Sequence, residues 1–163
     1  MAKTGKMTAA GLKKLQKQLN KLQGDECEAF MEACAKELAA RLLAKVIKRT
    51  PVGDYPNSTG KKGGTLRRGW TAKTHEEAAT GKTSSASSYV ESLTIKHVGN
   101  KFVVDIVNPV EYAPYVEYGH RTADHEGWVQ GRFMLTISEQ ELQNIAPQVL
   151  ESKIKKFLGG AFK

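Results

Sequence analysis

The residues of this chain that could do chemistry are four histidines, two cysteines and a few paired carboxylates, and their spacing argues against most of it. His75, His97, His120 and His125 fall in no helical metal-binding motif, and the cysteines lack the close pairing of a zinc site. His120 and His125 flank Asp124, a trio able to hold an ion, yet polar loops of this kind are far more often simply solvated. Cys27 and Cys34 share one face of a strongly helical stretch but stand about 10 Å apart along the axis at ~1.5 Å per residue, too far for a disulfide. They read as small buried hydrophobes, and neither has a histidine near it in sequence to mark a nucleophile. Glu76-Glu77 and the pair Glu111 and Glu117 do not persuade as catalytic pairs, since a general acid needs perturbed surroundings that a sequence does not display. Gly60-Lys-Lys-Gly-Gly64 does not have the phosphate-cradling spacing and reads as linker. The expectation is a chain with no catalytic residue, no cofactor and no metal.

The unusual chemistry lies instead in Asn108-Pro-Val-Glu-Tyr-Ala-Pro-Tyr-Val-Glu-Tyr-Gly-His-Arg121, which holds three of the five tyrosines and fits no regular amphipathic period. Tyrosine joins a large apolar body to a polar tip, the combination favoured at interfaces and in buried corners alike. Tyr112, Tyr115, Glu117 and Tyr118 are therefore candidates for shaping an inter-subunit or core surface, with Gly119 allowing the turn that follows. A tyrosine corner that supports the fold is the plainer alternative, and the two are compatible.

A net charge of +8 over 163 residues makes contact with a polyanion plausible. The lysines and arginines are spread through Lys3 to Lys21, Lys61-Lys62, Arg67-Arg68 and Lys153 to Lys163, however, so most read as solvated helix faces and tails. No run of about 18 apolar residues is present and the N-terminal residues are polar, so neither a membrane span nor a secretory signal is expected. The expectation is a soluble protein made in the cytoplasm.

These residues need elements to position them, and the pattern gives one α+β domain over 1–163. The expected architecture is a long N-terminal helix and a C-terminal helix packed on a small antiparallel β-sheet that contains a β-hairpin, with long flexible loops. Leu12, Leu15, Leu19 and Leu22, then Phe30, Met31, Cys34, Leu38, Leu42, Val46 and Ile47, step at helical spacing over 8–49, ending where Pro51 resists the helix. Residues 51–89, rich in glycine, proline and serine, read as loop, with a short edge strand near 65–71. Leu93, Ile95 and His97, and then Phe102, Val104 and Ile106, alternate about Gly99-Asn100, which predicts a hairpin over 90–107. Residues 108–131 read as the turn-rich tyrosine segment and a loop. Leu142, Ile145, Val149, Ile154 and Phe157 predict a helix over 132–158, with Ser138-Glu-Gln-Glu141 in capping-box form and Pro147 kinking it or starting its second half.

Four short motifs follow one another in this frame: Arg49-Thr-Pro-Val-Gly53, Gly64-Thr-Leu-Arg-Arg-Gly-Trp70, Tyr112-Ala-Pro-Tyr-Val-Glu-Tyr-Gly119 and Arg132-Phe-Met-Leu135. In that order, around a β-hairpin, they resemble the tail-completion or head–tail joining proteins of tailed bacteriophages, often called minor tail components. The long basic, glycine-rich insertion between Asp54 and Gly64 and the serine-rich loop at Ser84 to Ser88 depart from the pattern.

The resemblance implies a virion protein without enzymatic activity, assembled in the host cytoplasm, whose copies form a ring in the phage neck. Its partners would be itself, in six copies to match the tail's symmetry, a head-closure or connector protein, and a tail terminator or tail tube protein. The loop from Asp54 to Trp70 is the candidate for docking on the neighbouring ring. Arg67 and Arg68 would meet acidic surfaces there or, non-specifically, DNA in the channel, although adjacent arginines on a strand face opposite ways. The competing reading is a basic DNA-binding module of phage packaging or DNA handling, with binding that weakens steeply with salt. No recognition-helix or stacking-platform motif accompanies it.

Overall fold

The computed structural model describes Lys13, Gln16, Lys17, Asn20 and residues 24–161. Those first four residues are helical, while the leucine stripe Leu12, Leu15, Leu19 and Leu22 lies outside the described residues. The chain is α+β: two long helices flank, in sequence, a set of short helices and two small antiparallel sheets. Helix α1, Asp25–Arg49, places Cys34, Ala39, Leu43 and Val46 on its buried side. It stops where expected, because Thr50 precedes Pro51 and is held in extended backbone.

The last helix, α6, spans Met134–Ala161 and runs continuously through Pro147. It lies antiparallel along α1. Phe30 stacks on Phe157 at 4.3 Å between ring centroids, and at the other end Glu141 holds Lys45, at 2.8 Å, and Arg49. The expected capping box is absent. The helix begins four residues earlier than Ser138, whose buried hydroxyl donates to the Met134 carbonyl at 2.6 Å, while Glu141 reaches across to α1.

The glycine-rich middle is more structured than its composition suggests. After a 3-10 turn at Asn57–Thr59 come α2 (Thr65–Gly69), α3 (His75–Thr80) and α4 (Ala86–Ser92). The strand expected near 65–71 is thus a helix. Leu66, Gly69 and Trp70, the residues it buries, are spaced by three and four, a period five residues are too few to reveal. Caps account for the other two: the Thr74 side chain accepts from Glu77 N at 3.2 Å and the Ser85 side chain from Ser88 N at 3.2 Å. The serines that read as low-complexity loop start a helix.

The expected hairpin forms, but with only three residues in each strand: β1 (Lys96–Val98) pairs with β2 (Lys101–Val103) around Gly99-Asn100. Helix α4 takes residues up to Ser92 from its expected start. The tyrosine segment folds as helix α5, Ala113–Tyr118, followed by a second hairpin, β3 (Gly119–Arg121) with β4 (Trp128–Gln130), where only loop was expected.

One core joins these elements. Leu43 and Val46 of α1 meet Leu66 and Trp70, Ala78 of α3, Tyr89 and Val90 of α4, then Val110, Ala113 and Met134. At ~25 cal/mol per Å² of apolar surface, fully burying a residue such as Leu43 or Met134 stabilises the fold by about 1.5–3 kcal/mol. Both have no exposed surface.

Candidate functional site

The four motifs meet at two junctions, and each junction is closed by polar groups that would otherwise be orphaned. The first centres on Thr50, which is fully buried. Its hydroxyl donates to the Val46 carbonyl at 2.6 Å and accepts from Trp70 Nε1 at 2.7 Å. Its carbonyl accepts from Arg67 Nε at 3.0 Å and Nη2 at 2.7 Å. The end of α1 is thereby fastened to α2, with a guanidinium fork on a helix-terminal carbonyl. Arg68 points the other way and donates to the Ala78 carbonyl at 2.7 Å and the Gly63 carbonyl at 3.3 Å. Close packing completes the junction: a Cβ on Gly69 would lie 2.1 Å from Asn108 Oδ1, and Asn108 Nδ2 donates to the Leu66 carbonyl at 2.9 Å.

The second junction centres on Glu117, at the end of α5 and only 6% exposed. Its carboxylate accepts from Leu135 N at 2.9 Å, from Thr136 N at 2.9 Å and from the Thr136 hydroxyl at 2.8 Å. A carboxylate thus caps the positive end of α6 and satisfies N–H groups with no partner inside that helix. Arg132 N and Phe133 N donate to the carbonyls of Val116 and Glu117, at 2.8 and 3.0 Å. The chain then passes so tightly that Gly119, at φ +88°, could carry a Cβ only 2.4 Å from the Val129 carbonyl.

What these junctions display is aromatic. Tyr115 is 59% exposed, Tyr118 62% and Trp128 of β4 59%, with Val129 beside them. Tyr115 meets His120 edge-on at 5.8 Å between ring centroids, and His120 Nδ1 is buried without a hydrogen-bond partner among the described residues. Tyr112 is anchored more deeply. Burial pushes its phenol above the usual range and Tyr55 adds to this, while Arg68, Thr65 and the Leu66 backbone oppose it.

The sequence candidates therefore divide by environment. Tyr115 and Tyr118 face solvent and Tyr112 is half in and half out, whereas Glu117, Gly119, Arg67, Arg68 and Trp70 bind the protein's own backbone or fill its core. Arg67 and Arg68 lie on a helix, not on a strand. Trp128 and Val129 were not singled out in the sequence; a tryptophan amid polar loop residues was the available signal.

Other ionisable groups lie apart from the two junctions. His97 lies between Glu28 and Glu32 of α1, with Nδ1 2.9 Å from one carboxylate and Nε2 3.1 Å from the other. Burial raises the Cys34 thiol, with nearby Lys153 opposing and Glu37 adding to it. Asp124 is bonded by the Thr122 hydroxyl and then by Glu126 N, which hold its carboxyl below the ordinary range, within the turn of the second hairpin. It is not part of an ion-binding trio with His120 and His125 among the described residues. No described helix is long and apolar enough to cross a membrane.

No curated protein and no solved structure matches the chain. A family model described as "Bacteriophage HK97-gp10, putative tail-component" matches residues 13–119, about two thirds of its length. That span contains both the Thr50 junction and the Glu117 that caps α6. The chain belongs to the HK97 gp10-like family of bacteriophage tail components.

Proposed function

We propose that this chain is a non-enzymatic structural protein of the phage neck, a tail-completion adaptor whose copies form a ring between the DNA-filled head and the tail. Membership of a phage tail-component family supports a place in the virion. The observation that carries the finer reading is the aromatic surface of Tyr115, Tyr118 and Trp128, each more than half exposed on short elements fixed to the core by Glu117 and Gly119. Aromatic side chains held rigidly at a surface lose little conformational freedom on binding and bury a large area, which suits them to anchor a neighbour. Six copies, with a head-closure or connector protein on one side and a tail terminator or tail tube protein on the other, match the symmetry of a tail. Assembly takes place in the host cytoplasm.

The basic DNA-handling alternative is less well supported, because Arg67 and Arg68 donate to the protein's own carbonyls. Only non-specific contact with DNA in the channel is left for the remaining basic residues. Deleting the reading frame from its phage or prophage and viewing the lysate by electron microscopy tests the reading. DNA-filled heads beside detached tails are expected. Empty heads would favour the DNA-handling role, and intact infectious particles would refute the adaptor.

A further inference from the structure

The ring reading leaves open what joins one copy to the next, and an unpaired backbone suggests the answer. Residues 104–107 follow β2 without a strand partner, and their burial alternates with the period of a strand, Val104 and Ile106 being half-buried and Asp105 and Val107 exposed. The ladder with β1 stops at the pair Lys96 and Val103. Among the described residues, no N–H or C=O of Val104 to Val107 has a hydrogen-bond partner. An extended edge with unmet donors and acceptors is a template for another strand.

The same chain carries a second open edge. Strand β4 pairs only with β3, all its residues are exposed, and its apolar side chains are Trp128 and Val129. A lone two-stranded hairpin is marginal in water unless something covers it. Some of the unpaired charges near the two edges are of opposite sign. Glu111, just beyond the first edge, is exposed without an ion pair among the described residues, and so are Arg121 and Arg132 on the hairpin side. Between Val107, Pro114, Tyr118, Met134 and Leu135 lies an apolar hollow of about 220 Å³, at the end of the first edge.

We propose that residues 104–107 of one copy take β4 of the next copy as an added strand, with Trp128 of the incoming hairpin set toward the hollow beside Val107. A closed ring needs two unlike, complementary patches on every subunit, and these two edges meet that requirement. The proposal rests on the ring reading above, and its test separates the two. Particles are prepared from the phage encoding this chain with V107C and Q130C together, residue 130 sharing the face of Trp128 in the strand, oxidised mildly, and resolved on a denaturing gel. A ladder of covalent oligomers is expected from the double variant and from neither single variant. In parallel, Val107→Pro removes one N–H of this segment at a position 63% exposed. It should leave the melting temperature unchanged and abolish incorporation into particles; should it lower the melting temperature, the cross-link alone decides. Particles that contain the chain as a ring, give no ladder and tolerate Val107→Pro would overturn the edge pairing and leave the ring intact. Particles with no copy of the chain would overturn both.

Discussion

Replacing Glu117 tests the claim that the segment bearing the exposed tyrosines is fixed by a helix cap. The carboxylate receives two backbone N–H groups and one hydroxyl, all between 2.8 and 2.9 Å. Hydrogen bonds to a charged group contribute about 1.5–3 kcal/mol each, but the donors lie at a half-buried helix end where water replaces part of what is lost. Loss of an ordinary helix cap costs roughly 0.5–2 kcal/mol, and this acceptor is charged and buried. Glu117→Ala should therefore destabilise the protein by about 3 kcal/mol, a value between that of an ordinary cap and the full sum of three hydrogen bonds to a charged group. Glu117→Gln keeps one carbonyl oxygen but turns an amide toward a donor, and should cost about half as much. Urea unfolding followed by circular dichroism measures both, with the slope unchanged and the midpoint lowered. A loss below ~0.5 kcal/mol for Glu117→Ala, within the range of an ordinary surface substitution, would refute the reasoning.

Thr50→Val keeps the shape of the first junction but orphans the Trp70 indole N–H, and should cost about 1–3 kcal/mol in the same assay. Hydrogen bonding from Lys45, aided by Arg49, holds the Glu141 carboxyl below its ordinary value of 4.5. A carboxyl depressed in the folded state contributes stability above its unfolded value and loses it as pH falls through the folded one. The melting temperature of Glu141→Gln should accordingly lie below that of the parent at pH 7, with the gap closing in acid; a gap that persists there would count against the pairing. Alanine at Tyr115 or Tyr118 should leave urea stability within ~0.5 kcal/mol of the parent, as expected of exposed side chains. Complementation of the deleted phage should nevertheless fall, and full complementation by both variants would remove these tyrosines from the interface.

Long-period signals were legible in the sequence and short ones were not. The extent of α1 to Arg49 and the turn at Gly99-Asn100 follow from helical spacing, a proline and a glycine, each visible in one dimension. Helix α2 is too short to show a period, and what holds it is tertiary: Trp70 and Arg67 reach back to Thr50, far off in sequence. The same applies to Ser138-Glu-Gln-Glu141, whose capping pattern is genuine locally but superseded because Glu117 supplies the cap earlier in α6. At the candidate site, composition marked the tyrosines and the motif arginines without telling which would turn outward. Tyr115 and Tyr118 face solvent, whereas Trp70 and Arg67 close the fold upon itself. A motif residue that satisfies a buried carbonyl reads, in sequence, just like one kept for a partner.

The most direct test of the central claim is an electron cryomicroscopy reconstruction of the neck of the virion that encodes this chain. The adaptor reading predicts a closed ring of copies at the head–tail junction, with the faces bearing Tyr115, Tyr118 and Trp128 buried against neighbouring chains. A neck built entirely from other proteins, or copies of this chain found only elsewhere along the tail, would contradict it.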